Sequence, residues 1–353
     1  MKNQIELNHH VHDYECMWNG IEDLYMNQTG ETLPADFFFL LAGFGSFCYR
    51  RTPKSELKRM VSLGDGRTKQ MYEFLAPIVG FRFRHHVYKT FERAMAKARA
   101  EIDSGFPVVL GTLDMFHLSY FEKFYHREHI PFHYVLMAGY DDGEQTVSLY
   151  DCGRREKLKL SYMDLRLAMD CSCPGLSRPN TVCTIRMESQ KNKYQIAKEA
   201  LAVKGDLFLN PPMPFLGYKG FERFIKELPQ WKTDLCREDY DKILKNMVTF
   251  FGTVPMVPNV LRGIDLPDEV EFKGGFEKMG SMLSQMGEEY DRDDWNKAAV
   301  IFYEGADVME QISGILIRYL SGQGDETEKL PEKFGHVLTK MKEGYRMAAE
   351  ISS

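Results

Sequence analysis

Apolar positions along the chain change their period about halfway. Early on, CMWNGIEDLY places Met17, Ile21, Leu24 and Tyr25 three and four apart, the spacing of one helix face, and predicts a helix over 16–27 headed by Cys16. Further helices are expected over 33–41, 68–75 and 90–104. From 107 the spacing becomes that of strands: PVVLGTLDM (107–115), YVLMAGYDD (134–142), TVSLYDC (146–152) and TVCTIRM (181–187) are β-branched and apolar runs closed by Gly, Asp or Pro. The second and third of these flank an Asp-Gly step and read as a hairpin. After the polar break ESQKNKYQ (188–195) the strand signal stops. NKYQIAKEALAV, YKGFERFIKEL, REDYDKILKNMVTFF, WNKAAVIFYEGADVMEQISGILIRYL and EKFGHVLTKMKEGYRMAAEI all carry helical spacing between Pro- and Gly-containing loops. The expected architecture is an α+β domain with an antiparallel sheet over 1–190, then an all-helical domain over 191–353. A length of 353 residues also favours two cores.

No run of eighteen apolar residues occurs, and MKNQIELNHH lacks the apolar core of a signal peptide, so a cytoplasmic protein away from the membrane is expected. Seven cysteines, an odd number in no regular framework, fit a reducing compartment. The net charge of −6 is unevenly spread: 50–99 holds thirteen Lys/Arg against four Asp/Glu, and 265–294 holds ten acids against three bases. Such stretches read either as solvated faces or, for Arg50, Arg51, Lys54, Lys58 and Arg59, as a docking face for an acidic partner. Nucleic acid is excluded as the partner, because the chain is acidic overall and carries no groove-reading motif or zinc-finger spacing.

Three residues carry the candidate chemistry. Unpaired N–H groups and the dipole at a helix N-terminus favour thiolate over thiol, which is where the pattern puts Cys16. His133 enters one strand of the expected hairpin and Asp151 ends the other, so pairing brings them to the same end of the sheet. Singly, each has an ordinary reading: a small buried hydrophobe, a structural histidine, a turn. Together, in the order Cys, His, Asp, they are the nucleophile, base and orienter of papain-like enzymes. His85 with His86, His126 with His129, and Cys171 with Cys173 complete no set of four ligands, and no metal is expected. FEKFYH (121–126) reads as core or lid.

HDYECMWNGIEDLY, LPADFFFLLAGFGSFCYR, FPVVLGTLDM and FHYVLMAGYDDGEQTVSLYDCG resemble successive blocks of the butirosin-biosynthesis protein H family, to about residue 190. The resemblance implies a papain-like (cysteine proteinase-like) fold and an acyltransferase of antibiotic biosynthesis. Its donor would be an aminoacyl group on the phosphopantetheine arm of an acyl carrier protein, its acceptor a small-molecule amine such as an aminoglycoside, with no bound cofactor. Carried over, it implies Cys16 as nucleophile, His133 as base and Asp151 as orienter. The strand-entry histidine followed by VLMAGYDD is also similar to bacteriocin-processing peptidases that cut after a double glycine, so amide hydrolysis by the same triad is a second reading. A binding protein that keeps the pocket without turnover is a third. Where papain-like enzymes commonly keep an oxyanion-holding glutamine, this chain has His10, leaving His10 or His12 beside the Cys16 backbone N–H as donors. A homo-oligomer is compatible with the sequence.

Overall fold

The computed structural model describes residues 1–11, 16, 19–64, 68–152, 154–172, 178–188, 191–250 and 274–350. Contacts divide these residues into two compact units, the first built from 1–39 and the stretch up to Lys193.

The first unit is organised on an antiparallel sheet of seven strands: β1 (Lys2–Gln4), β4 (Phe81–Val87), β5 (Val108–Leu113), β6 (His133–Asp141), β7 (Thr146–Tyr150), β8 (Leu158–Ser161) and β9 (Thr181–Met187). Their order is β4-β9-β5-β6-β7-β8, and β1 pairs with the far end of β6, Gln4 opposite Gly139, beyond the part that pairs β5. The expected hairpin is β6–β7, with Leu136 opposite Tyr150. Side chains alternate between the faces of the sheet. Val108, Leu110, Val135, Met137, Val147 and Leu149 share a core with helices α3 (Phe91–Asp103) and α4 (Tyr162–Met169). The intervening residues face helix α1 (Asn19–Thr29): a Cβ on Gly20 would come within 2.3 Å of Val109 Cγ2 and 3.5 Å of Leu136 Cδ1. Both central strands are therefore buried on both faces, which is why they read as continuous apolar runs. Helix α2 (Thr68–Leu75) falls where the spacing put it.

The second unit does not begin at 191. It takes the segment 40–64 out of the N-terminal part and combines it with the chain from Tyr194 onward. That segment has a short π-helical turn, Phe39–Gly43, where a longer helix over 33–41 was expected, and then the hairpin β2 (Phe44–Arg51)–β3 (Arg59–Gly64). Aromatic packing explains the assignment. Phe47 stacks face to face on Phe221 at 4.0 Å, while Tyr49 packs on Phe224 and Trp231 and donates its hydroxyl to Glu227 Oε2 at 2.5 Å. The rest of the unit is helical: α5 (Lys193–Leu209), α6 (Gly217–Glu227), α7 (Trp231–Asp234), α8 (Arg237–Phe250), α9 (Gly275–Glu289), α10 (Asp293–Leu320) and α11 (Leu330–Glu350). The overall class is α+β. Among the described residues, no helix is long and apolar enough to cross a membrane.

Candidate active site

The end of the β6–β7 hairpin gathers the polar side chains. His133 opens β6, in phase with Val135 and Met137, and Asp151 follows β7, in phase with Val147 and Leu149, so pairing sets the two side by side. His133 Nε2 lies 2.7 Å from Asp151 Oδ2, with His133 6 % exposed and Asp151 fully buried. Cys16, half-buried just ahead of α1, has its sulfur close enough to the same imidazole to favour its charged form. With Nε2 facing the carboxylate, Nδ1 is the ring nitrogen left for a thiol. The three residues thus form one line: thiol, imidazole, carboxylate.

The carboxylate is fully used. Oδ2 also accepts the Tyr120 hydroxyl at 2.9 Å, and Oδ1 accepts the Cys152 N–H at 2.7 Å. Burial alone would raise Asp151, but the His133 ring and these donors outweigh it and hold its carboxyl below the usual range. Burial works against a charged His133 as well. The Asp151 carboxylate and the Cys16 sulfur overcome it and push His133 up to about 10. The edge of Phe121 meets the ring at 5.0 Å and 89°, fixing its plane from the side. Within FEKFYH the two phenylalanines are core, Phe121 walling the imidazole, while Glu122 and His126 are exposed.

A pH prediction follows from the direction of the shift. A histidine raised above its ordinary value, about 6.5, stays protonated through neutrality, and the stability of its ion pair is lost only as pH rises through about 10. Asp151→Asn removes the charge that raises it. The alkaline limb of turnover is expected to move from near 10 down toward 6.5, with a smaller loss of rate than removal of the imidazole. The asparagine must turn its NH₂ toward one of three donors, so the variant is also expected to melt earlier than wild type. An unmoved limb in a pH series of kcat would separate Asp151 from the ionisation of His133.

Two neighbours of the line had no sequence signal. Tyr120 lies in the connection after β5, with only an aromatic-rich surrounding to mark it. His9 was masked by the adjacent His10. The His9 ring is 2.6 Å from Asp23 Oδ2 through Nδ1 and 2.9 Å from the Asp151 carbonyl oxygen through Nε2. His10, an expected oxyanion donor, gives its backbone N–H to Asp23 Oδ1 at 2.8 Å, and its ring faces Glu22 Oε2 at 3.8 Å. His12 lies outside the described residues.

The basic residues of 50–59 belong to the second unit, not to the unit that holds the thiol. Arg51 pairs with Glu227 at 2.8 Å, and Arg59 is buried and pairs with Asp234 at 3.4 Å. Arg50 lies over the Phe215 ring at 5.0 Å, Lys58 donates to the Ser55 carbonyl at 3.1 Å, and Lys54 is exposed. Among the described residues, no group of three or more His, Cys, Asp or Glu is placed to hold a metal. His129 instead pairs with Asp114 at 2.6 Å, and Cys173 is outside the described residues.

The model of a family described as butirosin biosynthesis protein H, N-terminal, matches residues 15–152, a stretch that runs from one residue before the thiol to one residue past Asp151. No curated protein matches the chain.

Proposed function

We propose that the protein, whose residues 15–152 match the model of the butirosin biosynthesis protein H N-terminal family, is a cysteine-dependent acyltransferase of antibiotic biosynthesis. The observation that carries this reading is the buried His133 ring, bonded to Asp151 and raised further by the neighbouring Cys16 sulfur. In the first half-reaction the Cys16 thiolate attacks the carbonyl carbon of a thioester. The tetrahedral adduct collapses with cleavage of the C–S bond to the donor, and the departing thiolate takes the proton carried by His133. In the second half an amine attacks acyl-Cys16, neutral His133 accepts a proton from the nitrogen, and the Cys16 thiolate leaves as the amide forms. Asp151 keeps the imidazole turned toward the sulfur and stabilises its charged form.

A thioester on the phosphopantetheine arm of an acyl carrier protein is the donor in this reading, and a small-molecule amine is the acceptor. Such a carrier is acidic and would seek a basic face. With Arg51 and Arg59 committed to Glu227 and Asp234, charge reversal to test docking belongs at Lys54 and Lys58. The donor's chemistry is tested separately, with a small acyl thioester and a panel of amines. Amide should form in preference to free acid, at a rate that rises with amine concentration. Free acid alone, whatever the amine, would make the protein a hydrolase.

A further inference from the structure

The short segment before Cys16 is held by several side-chain hydrogen bonds. Leu7 N–H donates to the Tyr150 hydroxyl at 3.3 Å. Asn8 and Asn27 exchange hydrogen bonds at 2.9 Å each, backbone to side chain in both directions, and Asn27 Nδ2 also reaches the Asp23 carbonyl at 2.8 Å. At the centre is His9, whose side chain is 2 % exposed and whose ring lies 5.0 Å from that of Tyr150.

Both ring nitrogens of His9 face acceptors: Asp23 Oδ2 at Nδ1, and the Asp151 carbonyl oxygen at Nε2. A neutral imidazole has one N–H and can serve only one of two acceptors. The arrangement therefore calls for a proton on each nitrogen, with Asp23 as counter-ion. Asp23 Oδ1 is occupied by the His10 N–H, so the fully buried carboxylate is held from two sides. Among the described residues, the other ionisable groups near the ring are Asp151 itself, whose charge favours the imidazolium, His10, which opposes a second positive charge, and Tyr150, whose ring lies 5.0 Å away. Burial disfavours a charged His9 too, yet Asp23 outweighs it and raises the ring above the ordinary histidine value.

His9 precedes Cys16 by seven residues and Asp23 follows it by seven, so the pair clamps the chain on both sides of the nucleophile. The same ring holds the main chain of the residue that orients His133. We propose that His9 is a positioning residue for the Cys16–His133–Asp151 line, a doubly protonated ring that joins the two flanks of the nucleophile to the main chain of Asp151. This rests on the reading of Cys16 as a nucleophile activated by His133. It adds a second imidazole–carboxylate pair that touches no reacting atom.

The test reads thiol reactivity and needs neither donor nor amine. Iodoacetamide labelling of Cys16 is followed over pH in wild type, His9→Phe and His9→Gln, with thermal melts to confirm folding. Phenylalanine keeps an aromatic ring against Tyr150 but supplies no donor. It should slow Cys16 labelling at neutral pH by about 10²-fold, the scale of a misplacement near 1 Å. Glutamine restores one N–H toward the Asp151 carbonyl and should recover most of that loss. A folded His9→Phe protein that labels at the wild-type rate, or a glutamine variant no faster than phenylalanine, would overturn the proposal. Failure of wild-type Cys16 to label selectively would instead undo the reading beneath it.

Should both His9 variants fail to fold, Asp23→Asn decides. Its amide can donate to Nδ1 of a neutral ring, leaving the Nε2–H for Asp151, so acid should now break the clamp by protonating His9. Labelling is expected to fall at a higher pH than in wild type. An unchanged acid limb in that variant would overturn the proposal.

Discussion

Replacing Cys16 with alanine is expected to abolish turnover, by at least about 10³-fold, and to remove covalent labelling while the protein still folds. The size follows from the chemistry. Without the sulfur no acyl-enzyme forms, and His133 is left beside an empty position where it has no bond to make. The fold should survive, because the site stands on a hairpin and sheet whose core lies elsewhere: Val108, Leu110, Val135, Met137, Val147 and Leu149 pack against α3 and α4 without help from the thiol. Cys16→Ser should be nearly as inactive, since a hydroxyl is a far weaker nucleophile at neutral pH. Turnover above a tenth of wild type in both variants would take Cys16 out of the mechanism.

Replacing His133 is expected to cost about 10² to 10⁴ in rate, the usual worth of a positioned acid–base group. Alanine also leaves the fully buried Asp151 carboxylate without its counter-ion, and breaking a buried pair in this way destabilises by about 3–5 kcal/mol. His133→Gln is the fairer variant, because its amide can still donate to Asp151 Oδ2. It should fold, lose the rate, and lack the alkaline limb near 10 expected of the wild type from its raised imidazole. Turnover in the glutamine variant within threefold of wild type, measured as kcat over pH, would exclude His133 as the proton carrier.

The hairpin that places His133 beside Asp151 was legible because two apolar strands flank an Asp-Gly turn, and a register read from the turn fixes which ends meet. Other elements hid for identifiable reasons. FRFRHHV forms β4, an edge strand, where Arg82 and Arg84 alternate with Phe81 and Phe83 and break the apolar run. Lys2–Gln4 forms three residues of polar strand, too short for any period. GFEKMGSMLSQMGEE carries three glycines, which weaken any helical signal, yet it is helix α9. Gly280 is needed there because a Cβ would stand 2.9 Å from the Tyr303 ring, and the glycine lets α9 and α10 close on each other. FGSFCYRR was read with the N-terminal domain because it is near it in sequence. Its aromatic side chains pair with Phe221, Phe224 and Trp231, a long-range contact that no local pattern announces. His9 gives no local signal for a similar reason: its two partners are fourteen and 142 residues away.

The proposed function stands or falls on acyl transfer through the sulfur of Cys16. Its most direct test is intact-protein mass spectrometry after mixing with a small acyl thioester, with peptide mapping of any adduct and a chase with amine. A gain of one acyl group located on Cys16 is expected, absent from Cys16→Ala, that disappears on adding amine as the amide appears in equal amount. Amide formed at full rate with no adduct at Cys16, or an adduct on another residue that persists in Cys16→Ala, would contradict it.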